Sequence, residues 1–273
     1  NMQKYNEAFS HFELCIKINP NDAKIFNNLG NLLVKLRKHK DAIKAYDKAI
    51  LLQNNFAEAY SNRGEANQQL NNYEAAIKDY TRAIKIDNNL DYIHGKILHA
   101  KMHIHEWGKY DIEIKIIKEG IENKKKIITP FPLLSLIDDP KAHKEVAKKY
   151  SQNNFPYFSK TKLKNKVLKK IKLGYFSADF RNHAILHLMM DIFKNHNKSK
   201  FEIYGFSHSL KKDEMTEEVS KYFDEFFDCS NLSDTKIANL SRERGIHIAI
   251  NLTGYTFNSR DGIYYNNPAP III

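Results

Sequence analysis

The sequence predicts an all-α repeat array followed by one α/β half-domain built on a parallel sheet, and two observations predict it. Compared with itself at an offset of 34 residues, the first third of the chain brings Ala8, Ala42 and Ala76 into register, then Phe12, Tyr46 and Tyr80, then Cys15, Ala49 and Ala83. From Leu173 onward, short apolar runs with period-two alternation are separated by segments of helical spacing, the order that gives right-handed crossovers between parallel strands.

A length of 273 residues with 42% hydrophobic residues fits about two ordinary domains with real cores. No run approaches the roughly 20 uncharged apolar residues that span a bilayer, and the opening NMQKYNEAFSHFE is polar and helical, so the reading is a soluble, cytoplasmic protein without a membrane partner. The two cysteines, Cys15 and Cys229, fall in different predicted domains, which argues against a structural disulfide; Cys15 is expected at a helix-packing position. The net charge of +11 raises a nucleic-acid partner, with Lys160, Lys162, Lys164, Lys166, Lys169, Lys170 and Lys172 as the densest cluster. These lysines alternate with single residues and lack an aromatic stacking platform, so a solvated interdomain segment is preferred and nucleic acid is disfavoured.

In the repeat array (1–121), small residues let paired antiparallel helices approach while the aromatic ones fill the groove between neighbours, and Pro20, Asn54 and Asn88 close each unit. This is the tetratricopeptide period and pattern, although Arg63 and Asn67 stand where apolar residues are usual. The chain enters partway through a repeat, which suggests further sequence upstream. A fourth unit, Tyr92 to Trp107 and on to Ile121, loses the alanine pattern and reads as a terminal repeat with longer helices. Asn28 and Asn62 share the sixth position of their units, on the face expected to be concave. There a column of amides holds a peptide backbone, or else simply occupies exposed sites. His94, His99, His103 and His105 lack a third and fourth ligand arrangement, so packing or surface roles are read and no metal is assigned.

Pro130 and Pro132 break the helical series and open a connector (122–166) with a short helix over Ala142–Tyr150 and a polar link after it. The half-domain (167–273) then runs strand Leu173–Ser177, helix Ala184–Lys194, strand Phe201–Phe206, helix Glu214–Phe223, strand Glu225–Asp228, helix Asp234–Arg244 and strand His247–Leu252. A short helical stretch near Ser259 to Tyr265 follows, and Ile271–Ile273 starts another strand. No Gly-x-Gly-x-x-Gly run is present, which disfavours a dinucleotide site. Two strand-end loops stand out because ligands of open α/β sheets sit beyond the carboxyl ends of strands. The first carries Asp179 and His183 ahead of a helix; the second, Asn251 to Thr256, carries Gly254, which lets a backbone approach a ligand. On their own, Asp179 also suits a turn or cap, and His183 with His187 suits helix-start packing.

The combination of the repeats with GYFSADFRNHAILHLM, KFEIYGFSHS, GIHIAINLTGYT and NPAPI resembles the O-linked N-acetylglucosamine transferases and their SPINDLY-like relatives, most closely the bacterial branch. The resemblance implies a tetratricopeptide superhelix followed by the amino-terminal Rossmann-like lobe of a two-lobed GT-B type glycosyltransferase. It implies transfer of N-acetylglucosamine from UDP-GlcNAc to protein Ser or Thr with inversion, without a metal or other cofactor, and with acceptor polypeptides and a nucleotide sugar as partners. It places His183 beside the donor phosphates, with general base among its proposed roles, and gives Asp179 proton handling or positioning. Ala184, Ile185, Gly254, Tyr255 and Thr256 fall on the donor side, and Ala184-Ile185 stands where family members often read Pro-Thr. The second lobe is expected beyond Ile273, so this stretch alone is expected to be inactive. A SPINDLY-like protein O-fucosyltransferase and a non-catalytic peptide-binding scaffold stay open as alternatives.

Overall fold

The computed structural model describes residues 2–154, 169–254, 256 and 259–273. The chain divides into two compact units, Asn1–Tyr150 and Ser151–Ile273.

The first unit is a run of helices: α1 (Met2–Ile18), α2 (Ala23–Lys35), α3 (His39–Leu52), α4 (Ala57–Gln69), α5 (Tyr73–Ile86), α6 (Ile93–His103), α7 (Tyr110–Glu122), α8 (Pro130–Leu133) and α9 (Pro140–Asn154), the last crossing the division. The repeat register is realised as packing. Ala42, Ala49, Ala76 and Ala83 are 0% exposed, and Tyr46 and Tyr80 are fully buried against the glycines of the preceding helix, where a Cβ on Gly64 would stand 2.7 Å from Tyr80. The polar residues Arg63 and Asn67 are accommodated by Asp79. Arg63 Nε and Asn67 Nδ2 both donate to Asp79 Oδ2 (3.0 and 3.2 Å), and Arg63 Nη1 reaches Asp47 (2.6 Å). The hydrogen bond that Arg63 donates to Asp79 leads the causes that raise the Arg63 guanidinium above its ordinary value.

Two expectations are corrected. The helices of the fourth unit are not longer: α6 and α7 have 11 and 13 residues against 13 and 14 in α4 and α5. The reason is visible at two glycines. The segment after α7 crosses back over both helices, so that a Cβ on Gly95 would lie 2.8 Å from the Ile128 Cα and one on Gly120 2.8 Å from Ile127, while Tyr92 and Gly95 donate their N–H groups to Lys126 and Ile127. Ile127, Ile128, Leu133, Ile137 and Val146 then share a core with Leu98 and Ile117. Cys15, expected to pack, is exposed together with Leu14 and Ile18.

The second unit contains β1 (Ile171–Ser177), α10 (Ala184–Lys194), β2 (Phe201–Ser207), α11 (Glu214–Ser220), β3 (Glu225–Asp228), α12 (Asp234–Glu243), β4 (Ile248–Asn251), α13 (Gly262–Tyr265) and β5 (Ile271–Ile272). All pairings are parallel, in the order β3-β2-β1-β4-β5. Alternate residues of β1 feed two cores. Leu173 and Tyr175 join Leu186, Met190 and Phe193 of α10 and Val219 of α11, whereas Phe176 joins Ile237 of α12 and Ile263 of α13. The sheet is therefore covered on both faces, as a parallel sheet requires. Helix α11 stops at Ser220, three residues before the expected Phe223, because Tyr222 and Phe223 close tight turns onto Val219 and Ser220 and the Asp224 N–H then donates to Ile203. Most of the lysine cluster, Lys160 to Lys166, lies outside the described residues; Lys172 is tied to the Arg244 carbonyl and to Glu202.

Candidate active site at the carboxyl edge of the sheet

Strand β1 is central, and the chain winds outward from it through β2 and β3 before returning to β4 on the other side. Such a reversal leaves a crevice between the loops that follow the two strands, and ligands of doubly wound sheets bind there. The loops here are 178–183 after β1 and 252–256 after β4, joined by a hydrogen bond from the Ala178 N–H to Thr253 Oγ1 (3.2 Å).

The first loop is held tightly. The Asp179 N–H donates to Ser177 Oγ (2.9 Å), Thr216 Oγ1 donates to the Phe180 carbonyl (2.7 Å), and the Asn182 N–H donates to Asp213 Oδ2 (2.8 Å). That last bond is the leading reason the Asp213 carboxyl sits below the usual carboxylate range, and Asp213 is at the same time the N-cap of α11 in a capping box with Thr216. The cap of one crossover helix therefore anchors the loop of the neighbouring strand.

Three side chains converge in this loop. Asp179, whose side chain is 8% exposed, accepts from Arg181 Nη2 at 2.9 Å and stands 3.9 Å from His183 Nδ1. His183 is the N-cap of α10: its Nδ1 accepts from the Ile185 N–H (3.3 Å). A neutral imidazole that accepts at Nδ1 carries its proton at Nε2, so this geometry presents a donor, not a base. With its side chain 35% exposed, His183 offers that N–H beside the positive end of α10, an arrangement that favours anionic oxygens. His187 Nε2–H donates to Asn182 Oδ1 (2.9 Å), which adds a second imidazole that holds the loop and does not face it as a ligand.

The donor-side residues are placed as follows. Ala184 is exposed and Ile185 half-buried, the latter with its N–H spent on His183. Gly254 adopts a left-handed conformation (φ 58°) with open space where a Cβ would stand, and its N–H donates to Asn251 Oδ1 (3.1 Å). Thr256 Oγ1 donates to the Thr253 carbonyl (2.7 Å), and Tyr255 lies outside the described residues. In the repeat unit, Asn28 is exposed, while Asn62 donates its amide to Asn27 Oδ1 (2.9 Å) and so links α4 to α2.

Sequence reasoning missed Arg181 and His208. Arg181 sits inside the motif and shows no periodic signal; only its salt bridge reveals it. His208 follows β2, is 5% exposed, and among the described residues neither of its ring nitrogens has a partner. Burial, then the nearby Arg260, push it down to about 4.

Known proteins resemble both parts of this chain. Residues 142–273 match the model of glycosyl transferase family 41, and residues 11–44, 30–71 and 57–90 match tetratricopeptide repeat models. The chain is 36% identical over 104 residues to the probable UDP-N-acetylglucosamine--peptide N-acetylglucosaminyltransferase SEC of Arabidopsis thaliana, a stretch covering 38% of this chain and 11% of that protein. It is 38% identical over 106 residues to the UDP-N-acetylglucosamine--peptide N-acetylglucosaminyltransferase of Caenorhabditis elegans, covering 37% of this chain and 9% of that one. An Arabidopsis protein with a name of the same kind, SPINDLY, is 28% identical over 134 residues, 48% of this chain and 15% of its own length. Among solved structures, an O-GlcNAc transferase variant of Thermobaculum terrenum superposes with a TM-score of 0.56 at 18% identity, over 99% of this chain and 47% of that chain, which shows the shared fold. These matched stretches span well under two thirds of each relative. The chain therefore joins tetratricopeptide repeats to a segment, residues 142–273, that is similar to glycosyl transferase family 41.

Proposed function

We propose that the chain carries the acceptor arm and the amino-terminal lobe of a protein O-glycosyltransferase that moves N-acetylglucosamine from UDP-GlcNAc to Ser or Thr hydroxyls with inversion. The observation that carries the reading is the convergence of Asp179, Arg181 and His183 in one anchored loop at the reversal point of the sheet.

In this reading the acceptor oxygen forms the new bond to the anomeric carbon, the bond from that carbon to the diphosphate oxygen breaks, and its electron pair leaves on the nucleotide. His183 Nε2–H donates to the departing phosphate oxygen, which gains charge as the bond breaks. Asp179, held by Arg181, orients the acceptor hydroxyl and its carboxylate takes up that hydroxyl's proton as the new bond forms. The backbone around Gly254 leaves room for the donor on the other side of the crevice.

The test uses the full reading frame with labelled UDP-GlcNAc and, in parallel, a guanosine-linked fucose donor. Transfer to a Ser/Thr peptide from the first donor is expected, with a loss of about 100-fold or more in His183→Ala and in Asp179→Asn. Turnover unchanged in both variants refutes the assignment, and transfer from the fucose donor alone corrects the sugar. A second reading, a peptide-binding scaffold without catalysis, is favoured by one feature: His183 and Asp179 each have a structural task, capping α10 and holding Arg181. The same assay separates the two.

A further inference from the structure

The 34-residue register continues past the asparagines. Asn28, Asn62 and Lys96 occupy one position of α2, α4 and α6, Asn31, Glu65 and His99 the position three later, and Lys35, Gln69 and His103 the position seven later. Offsets of three and seven lie on one face of a helix. The three faces are linked side to side, α2 to α4 by Asn62 and Asn27 (2.9 Å) and α4 to α6 by Glu65 and Lys96 (2.8 Å). On α6 this face opens into a cavity of about 460 Å³ whose lining includes His99, Met102, His103, Phe131 and Leu134. Phe131 and Leu134 are 50% and 58% exposed, an apolar rim on a chain rich in surface charge.

The two imidazoles are built in. His103 stacks on Tyr73 at 4.3 Å between centroids and 5° between planes, and His99 meets His103 edge-on at 4.8 Å. Tyr80, fully buried, donates its hydroxyl to Gln68 Oε1 (3.0 Å), and Gln68 Nε2 donates onward to His99 Nδ1 (3.1 Å). This relay leaves the proton of a neutral His99 on Nε2, and none of the described residues accepts it. Burial, followed by the neighbouring His103, lowers the proton affinity of His99 and keeps the ring neutral. The cavity thus combines an apolar wall with an uncharged N–H donor on a side chain of its lining. That combination suits a polypeptide carbonyl flanked by an apolar side chain and has no charge to offer a phosphate or carboxylate.

We propose that this cavity is a subsite for an extended acceptor polypeptide, seating one large apolar side chain against Met102, Phe131 and Leu134 while His99 Nε2–H donates to a backbone carbonyl of the same segment. The proposal rests on the reading of the repeats as an acceptor arm and adds a sequence preference to it.

The experiment measures fluorescence anisotropy of labelled twelve-residue Ser/Ala/Gly peptides with the full chain, each carrying a single central Phe, Leu, Ala or Asp. The Phe and Leu peptides are expected to bind about tenfold tighter than the Ala peptide. Leu134→Asp, a change at an exposed position, and His99→Leu, which keeps the volume and removes the donor, are each expected to reduce that preference at least threefold while the melting temperature stays within a few degrees. Equal affinity for the Phe and Ala peptides, no binding of any peptide, or a preference retained in both variants overturns the proposal. Because His183→Ala is expected to leave anisotropy unchanged while lowering transfer by the full reading frame about 100-fold, a failed subsite and a failed transferase assignment give different results.

Discussion

His208 shows how a single side chain can set the acid response of the second unit. Its imidazole is buried at the end of β2, unpaired, and depressed to about 4, so between that value and its ordinary 6.5 the unfolded chain binds a proton that the folded one does not. Stability from this group is present above 6.5 and is lost as pH falls towards 4, by about 3 kcal/mol in all. Asp261 has the opposite sign. Burial, and then Asp234, raise it to about 6, so its contribution is present below 3.8 and is lost as pH rises through 6. The two slopes oppose one another between about pH 4 and pH 6. Urea unfolding midpoints are expected to rise with pH across this window in Asp261→Asn and to fall with pH in His208→Leu; the same slope in both variants refutes the assignment. At pH 7, His208→Leu is expected to be stabilising by about 1 kcal/mol, since it removes two unpaired buried nitrogens. Legibility at this scale was uneven. Asp179 and His183 were readable because the polar break after a strand and the onset of helical spacing bracket them. Arg181 and His208 were not, because an ion pair two residues away and a lone ring buried beyond the end of a strand leave no pattern in a linear chain.

Among the elements, the paired helices depend on the absence of a side chain. Gly64 costs α4 about 1 kcal/mol of intrinsic helix propensity relative to alanine, yet a Cβ there would meet Tyr80, which is 0% exposed and cannot swing away, and the Ala76 carbonyl at 3.2 Å. Overpacking outweighs propensity at such a site. Gly64→Ala is expected to lower stability by about 1–3 kcal/mol in equilibrium urea unfolding, and a stabilised variant contradicts the packing account. The three-fold recurrence of alanine and aromatic positions made these helices legible, because the same contact repeats at the same interval. The fourth unit was misread because Gly95 and Gly120 receive the crossing segment at Lys126–Ile128, a contact that occurs once and so has no period to detect. The substitution of Arg63 for an apolar residue became intelligible only with Asp79 beside it, sixteen positions away.

At the scale of the whole molecule, the net charge of +11 acts beyond any single contact. A positive field speeds encounter with anionic ligands and is screened within about 10 Å at 0.1 M salt. If the proposed peptide binding holds, peptides flanked by Asp and Glu are therefore expected to associate about tenfold faster at 20 mM than at 300 mM salt in stopped-flow measurements, with neutral peptides nearly unaffected; a flat response in both shows that local contacts dominate. The alternation of strands and helices was enough to foresee a parallel sheet, since only crossovers connect such strands. It did not reveal the strand order, which depends on which side of β1 each crossover lands. That order has a practical consequence. With the loops of the candidate site gathered at one rim, the opposite rim is the place for spectroscopic handles: the exposed turn at Asn197–Lys200 before β2 will accept a fluorophore or cross-linker without intruding on the loops of the site, whereas Gly245 before β4, at φ 69°, tolerates no side chain without strain.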